Sequence, residues 1–228
     1  MKYKNILIEK YNDLVMHIIL NRKNKYNALN SELTDELIDA LKECDQSELI
    51  KCVVISGSEN FSAGADIHEL ASNPDFIRSW EFIDTVKKPI IAAVNGIAFG
   101  GGNELLLMCD IILASKEAKF AQPEISLGLI CGGGGTQRLP WKIGKGMAME
   151  MCLTGNSITA EEAKDIGLIN HIYDTGELIK NALQLADIIS LNPMDAIIST
   201  KKLIKDTCYN LSDGLITEKN EFMKLLRG

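Results

Sequence analysis

The sequence lacks any C-x-x-C pair, although it carries six cysteines, Cys44, Cys52, Cys109, Cys131, Cys152 and Cys208. Most stand among apolar neighbours, as in KCVVIS and LLLMCDIILA. They read as buried free thiols in a reducing compartment rather than as a disulfide framework. Histidine is scarce: His17, His68 and His171 show no metal-ligand spacing, so no metal site is expected. No apolar run reaches the roughly 18–20 residues of a membrane span. The N-terminal MKYKNILIEKYND alternates with charges and has no apolar core of a secretory signal. The expectation is a cytoplasmic protein, or one of the mitochondrial matrix from which a transit peptide has been removed. Basic runs are missing too. With 24 Lys and Arg against 31 Asp and Glu, the net charge of −7 disfavours nucleic acid, RNA included, and anionic membranes.

Nucleotide-binding signatures are also absent. The glycine run at Gly100–Gly102 is not followed by the G-K-[ST] of a phosphate-binding loop. GLICGGGGTQRL does not fit G-x-G-x-x-G, because Gln137 stands where the last glycine belongs.

What is present is an ordinary globular composition, 46% hydrophobic and 24% charged over 228 residues. It implies one main domain with an appendage, able to bury about 70% of its unfolded surface without a disulfide or a metal. NILIEKY and LVMHIILN predict two strands joined by a turn at Asn12-Asp13. Leu33, Leu37, Leu41 and Cys44 recur at helical spacing, with Asn30 or Ser31 available as a cap. KCVVISG and PIIAAVNG read as buried strands, IILAS as another, and LINHIY as a last short one. Phe76, Trp80, Ile83 and Val86 give Asp75–Lys87 a helical period. Thr159 can cap a helix that ends at Gly167, and 176–191, 192–207 and 211–226 read as helices. Repeated strand, loop and helix units predict an α/β chain.

Three stretches carry chemistry. GIAFGGGNELLLMCDIILA runs glycine into an apolar helix with a single carboxylate, Glu104. A first-turn glutamate suits the helix dipole without any function. Yet its neighbours are apolar, no Lys or Arg lies between Pro89 and Lys116, and a buried charge is costly unless paired or shifted in pKa. Glycine before a helix lets backbone approach a ligand and leaves N–H groups free for a negative oxygen. The loop FSAGADI offers a second such turn at Ala63, Gly64 and Ala65. In FAQPEISLGLI a second carboxylate, Glu124, again has apolar company; it is either a solvated loop residue or the partner of Glu104 in acid–base work.

NRKNKYNALN, FSAGADI, KKPIIAAVNGIAFGGGNELLLMCDIILA, FAQPEISLGLICGGGGTQRLP and GNSITAEEAKDIGLIN occur in the order and nearly the wording of one family. The chain resembles the enoyl-CoA hydratase (crotonase) family from near its N-terminus to about Ile172. That resemblance implies a spiral core of ββα units over 1–191, with a helical C-terminal region over 192–228 that is shorter than in relatives. It implies homotrimers or homohexamers, an acyl-CoA thioester substrate, and no cofactor beyond the coenzyme A that the substrate carries. By matching positions it implies an oxyanion hole from the N–H groups of Ala65 and Gly101. Ala65, Asp66, Ile67 and His68 would lie along the thioester, and Arg22, Lys25 and Tyr26 would lie near the CoA nucleotide. The segment from Glu69 to Val86 would cover the acyl chain. Both glutamates sit at the hydratase spacing, which implies that Glu104 and Glu124 hold one water and add it across the C2=C3 bond of a trans-2-enoyl-CoA in fatty acid β-oxidation. The alternatives are an isomerase or another lyase of the family that uses Glu124 alone, or a noncatalytic assembly protein on the same fold. Cys131 departs from the pattern, which has proline there.

Overall fold

In the computed structural model, which describes residues 2–206 with Thr217, Lys219, Asn220 and Phe222, strands β1 (Ile6–Lys10) and β2 (Val15–Leu20) form the expected antiparallel hairpin. Asn12 closes the turn, its Oδ1 accepting from the N–H groups of Leu14 and Val15. Helix α1 (Ser31–Gln46) begins at Asn30, whose side chain accepts from the Leu33 N–H, and it buries Leu33, Leu37, Leu41 and Cys44. The wholly buried strand β3 (Cys52–Gly57) runs parallel to β2. After it come helix α2 (Ile67–Ser72) and a 3-10 segment, Pro74–Thr85.

The chain then alternates between two sheets. Strand β4 (Ile90–Val94) joins the large one; after the tight bend at Gly96 (φ 57°), β5 (Ile97–Phe99) enters the small one and leads into α3 (Gly101–Leu107). Strand β6 (Ile111–Ser115) returns to the large sheet and β7 (Lys119–Ala121) to the small. Helices α4 (Gly135–Ile143) and α5 (Lys145–Thr154) follow. Next come β8 (Ile158–Thr159), α6 (Ala160–Asp165), β9 (His171–Tyr173), α7 (Leu178–Ser190) and α8 (Met194–Asp206). The large sheet has the order β1-β2-β3-β4-β6-β9, parallel beyond the first pair; the small one is β5-β7-β8.

Isolated bridges extend the small sheet backward, Ser62 to Ala98 and Leu29 to Ala65. Each turn of the chain therefore supplies a long strand, a short extended piece and a helix. This is the ββα spiral with a helical C-terminal region that the resemblance implies. One face of the large sheet packs on α1 and the 3-10 segment; the other buries Val15, Val54, Ile91 and Leu113 against Leu178, Ala182 and Ala186 of α7.

One expectation changes and one element is added. The helix expected over 75–87 is instead a 3-10 segment that ends at Thr85, and the loop after β3 leads into a short helix, α2, that the sequence did not suggest, capped by Asp66 accepting from the His68 N–H. Of the helix expected over 211–226 only Thr217, Lys219, Asn220 and Phe222 are described, each helical, and Cys208 lies outside the described residues. Among those residues, no helix is long and apolar enough to cross a membrane.

Candidate active site

The loop after β3 is held from both sides by backbone. The Ala63 N–H donates to Tyr26 O at 2.9 Å and the Leu29 N–H to Gly64 O at 2.7 Å, while the Asp66 N–H donates to Leu29 O at 2.7 Å. The Ser62 hydroxyl donates to Asn27 O and accepts from the Gly64 N–H. On the neighbouring turn the Gly100 N–H donates to Ala121 O at 2.9 Å. Amides 63, 64, 66 and 100 are thus all engaged. Those of Ala65 and Gly101 have no acceptor among the described residues.

The two turns touch. A Cβ on Gly101 would stand 3.0 Å from the Ala65 nitrogen and 2.7 Å from the Trp80 ring, so only glycine allows this approach. Both open onto one cavity of about 540 Å³. Leu70, Ala71, Ile77 and Trp80 line one wall and Leu127, Leu129 and Ile130 another. The segment expected to cover an acyl chain contributes the first of these walls.

Glu104 reaches this cavity from α3 although its residue is only 3% exposed. Its Oε1 accepts from the N–H groups of Gly133 and Gly135, both at 2.8 Å, and no hydrogen bond reaches its Oε2 among the described residues. Glu124 comes from the 3-10 turn Pro123–Leu127 and accepts from Gln122 Nε2 at 3.2 Å. Gly100, at φ 51°, leaves space there: a Cβ would lie 3.1 Å from Glu124 Oε1. One oxygen of each carboxylate and the Cys131 sulfur lie within 4.8 Å of one another.

Burial raises the pKa of both glutamates. For Glu104 the nearby Glu124 charge adds to this, while the two glycine N–H bonds oppose it. Two acids held so close and away from water favour sharing a proton over ionising together.

The other expected residues fall in two places. Ile67 lines the cavity with Ala65, Gly101 and the glutamates. Arg22, Lys25, Tyr26, Asp66 and His68 stand outside its lining. Arg22 donates to Asp66 Oδ2 at 2.7 Å and to Ala28 O at 2.9 Å, joining the Lys25–Tyr26 turn to the cap of α2. That pairing lowers the Asp66 pKa. Lys25, Tyr26 and His68 are exposed.

Sequence reasoning missed the two donors to Glu104 and the support beneath them. Trp80 lies against both Gly101 and Gly133, and Arg138, bonded to Gly133 O at 2.8 Å, pairs with Asp84. The run of glycines before Gln137 was the available signal.

The family model for enoyl-CoA hydratase/isomerase matches residues 10–225. The chain is 42% identical to a mitochondrial enoyl-CoA hydratase of Pongo abelii, over 96% of this chain and 80% of that protein. It is 40% identical to a probable enoyl-CoA hydratase of Rhizobium meliloti, over 99% and 91%. Among solved structures, an enoyl-CoA hydratase from Bacillus anthracis superposes with a TM-score of 0.95 at 34% identity, over 99% of this chain and 92% of that one.

Proposed function

The chain belongs to the enoyl-CoA hydratase/isomerase family, and from that premise we propose that its cavity hydrates trans-2-enoyl-CoA to 3-hydroxyacyl-CoA. It is an enzyme, a hydro-lyase. The observation that carries the reading is the meeting of two acceptor-free amides and two convergent carboxylates in one cavity.

The substrate carbonyl accepts from the N–H groups of Ala65 and Gly101. As the enolate forms, those dipoles stabilise its oxygen; one such donor is worth roughly 3–4 kcal/mol of barrier. Water sits between Glu104 and Glu124. Glu104, its Oε1 fixed by Gly133 and Gly135, takes a proton from the water through Oε2 as the oxygen bonds to C3. Glu124, whose pKa burial raises, supplies the proton to C2. The balance is one water consumed, with one proton moved from the protein to C2 and one returned from the water. No redox or metal cofactor enters a reaction so written. Retention of both carboxylates favours this over isomerisation by Glu124 alone.

Around the cavity, Ile67 with Asp66 and His68 lies along the thioester, and Arg22, Lys25 and Tyr26 attend the CoA nucleotide, with Arg22 acting through its pair with Asp66. A division at 191/192 and homotrimers or homohexamers belong to the same proposal. Exposed Ile130, Trp141 and Leu153 are apolar surface that such an assembly would cover. Fatty acid oxidation in the cytoplasm or the mitochondrial matrix completes it.

The test is loss of the enone absorbance of crotonyl-CoA, with product analysis on 2-enoyl and 3-enoyl thioesters. Glu124→Gln is expected to lower kcat by about 10²–10⁴-fold while thioester binding persists. Near-normal turnover in that variant, or double-bond migration without hydration, overturns the assignment.

A further inference from the structure

Cys131 stands where the family pattern has proline, and its sulfur takes up a position that the hydration scheme leaves unused. It lies within 4.8 Å of a carboxylate oxygen of Glu104 and of Glu124. The Cys152 sulfur, from α5, is 3.9 Å away from it. Three potential donors thus converge from three separate segments, α3, the 3-10 turn at Glu124 and the glycine-rich loop, and Cys152 of α5 lies beside the third. Glu104 Oε2 is the free oxygen of an otherwise buried and doubly bonded carboxylate.

The sulfur separation suits one pairing better than the other. A disulfide holds its sulfurs about 2.05 Å apart. Two thiolates on one tetrahedral zinc, each at about 2.3 Å, stand roughly 3.8 Å apart. The observed 3.9 Å, an ordinary thiol–thiol contact, already equals the second distance within about 0.1–0.2 Å and needs no disulfide closure. Oxygens at about 2.0–2.2 Å from the same ion would stand somewhat closer than 4.8 Å to their neighbours, so Glu104, Glu124 and Cys131 would draw together on an ion, with Cys152 approaching from the Cys131 side. A mixed carboxylate and thiolate set favours a borderline-soft ion such as Zn²⁺ over Mg²⁺ or Ca²⁺, which prefer oxygen alone.

We propose that Glu104, Glu124 and Cys131 form an inhibitory site for a thiophilic divalent cation of the Zn²⁺ class, with Cys152 filling its fourth position. Binding releases the thiol protons and occupies the carboxylate oxygens that would hold the reacting water. The inhibitory effect rests on the hydratase reading; the binding does not. Histidine spacing could not reveal such a site, since it uses no histidine and no local motif.

Two measurements keep those readings apart. Co²⁺ titration of the intact protein is expected to give a sulfur-to-metal charge-transfer band in the near ultraviolet. Cys131→Ala and Cys131→Ser should lose it, and Cys44→Ala, which changes a remote buried thiol, should keep it. In crotonyl-CoA hydration, with each variant compared to its own metal-free rate, the half-inhibiting Zn²⁺ concentration is expected to rise at least about 10-fold in Cys131→Ser, since even outer-shell changes cost that much. Mg²⁺ at the same concentration should not inhibit. Absence of the cobalt band in the unaltered protein overturns the site even if hydration proceeds. Equal zinc sensitivity with and without the Cys131 thiol overturns it as well. A protein that gives the band but does not hydrate crotonyl-CoA keeps the site and overturns the hydratase reading.

Discussion

At Glu104 the protein buries a carboxylate and then gives one of its oxygens two backbone donors, from Gly133 and Gly135. The donors favour the charged form, but burial outweighs them and the pKa ends raised. A carboxyl whose folded pKa exceeds its unfolded one contributes stability below the unfolded value, near 4.5, and loses it as pH rises through the folded value. Glu104→Gln keeps an oxygen for the two glycine amides and removes the titration. The variant is therefore expected to melt higher than the parent at pH 7 while losing hydration, and the two midpoints should draw together near pH 4. A lower midpoint at pH 7 would contradict this. Both glutamates were legible in the sequence because each sits in a local pattern, after glycines or after Gln122-Pro123. The donors to Glu104 were not, because they lie 29 and 31 residues away and act through the backbone, which leaves no side-chain signature.

Among the elements, the 3-10 segment Pro74–Thr85 backs both turns of the site. Its Trp80 is 2% exposed, packs edge-on against Phe76 with centroids 5.9 Å apart, and backs both Gly101 and Gly133. Trp80→Ala should cost about 3–5 kcal/mol in urea unfolding and, by loosening both turns, lower kcat by roughly 10²-fold. Unchanged kcat with reduced stability would confine Trp80 to packing. The segment's apolar spacing reads as helical, yet Trp80, Ile83 and Val86 repeat every three residues, the 3-10 period. Ser79 and Thr85 each bond a carbonyl three residues back, which favours the tighter turn. By contrast the start of α1 was readable from its cap and periodicity, and the helix capped by Thr159 from its cap and its terminal glycine, to within about two residues.

Across the whole molecule, the long buried strands were evident from apolar runs, but the small sheet was not. Its strands span two or three residues, and Leu29, Ser62 and Ala65 join it by single bridges, too short for any periodicity. That sheet nonetheless aligns the two amide-bearing turns. The large sheet carries a different liability. His17 is buried on β2 with Nε2 against Ser56 Oγ at 2.8 Å, and burial lowers its pKa despite the Glu9 carboxylate 3.7 Å from Nδ1. A histidine with a depressed folded pKa contributes stability above its unfolded value, near 6.5, and loses it as pH falls through the folded one. His17→Gln should flatten the acid side of the melting-temperature profile below pH 6.5; a profile as steep as the parent's would exclude His17 as its source. The central claim is the grip on the substrate carbonyl by two amides brought together from distant turns. Isotope-edited vibrational spectroscopy of crotonyl-CoA labelled at the thioester carbonyl and bound to Glu124→Gln measures it directly. The C=O stretch is expected to fall well below its value in free crotonyl-CoA, and the shift to shrink when Gly101→Ala is added. A bound carbonyl that vibrates as it does in water would contradict it.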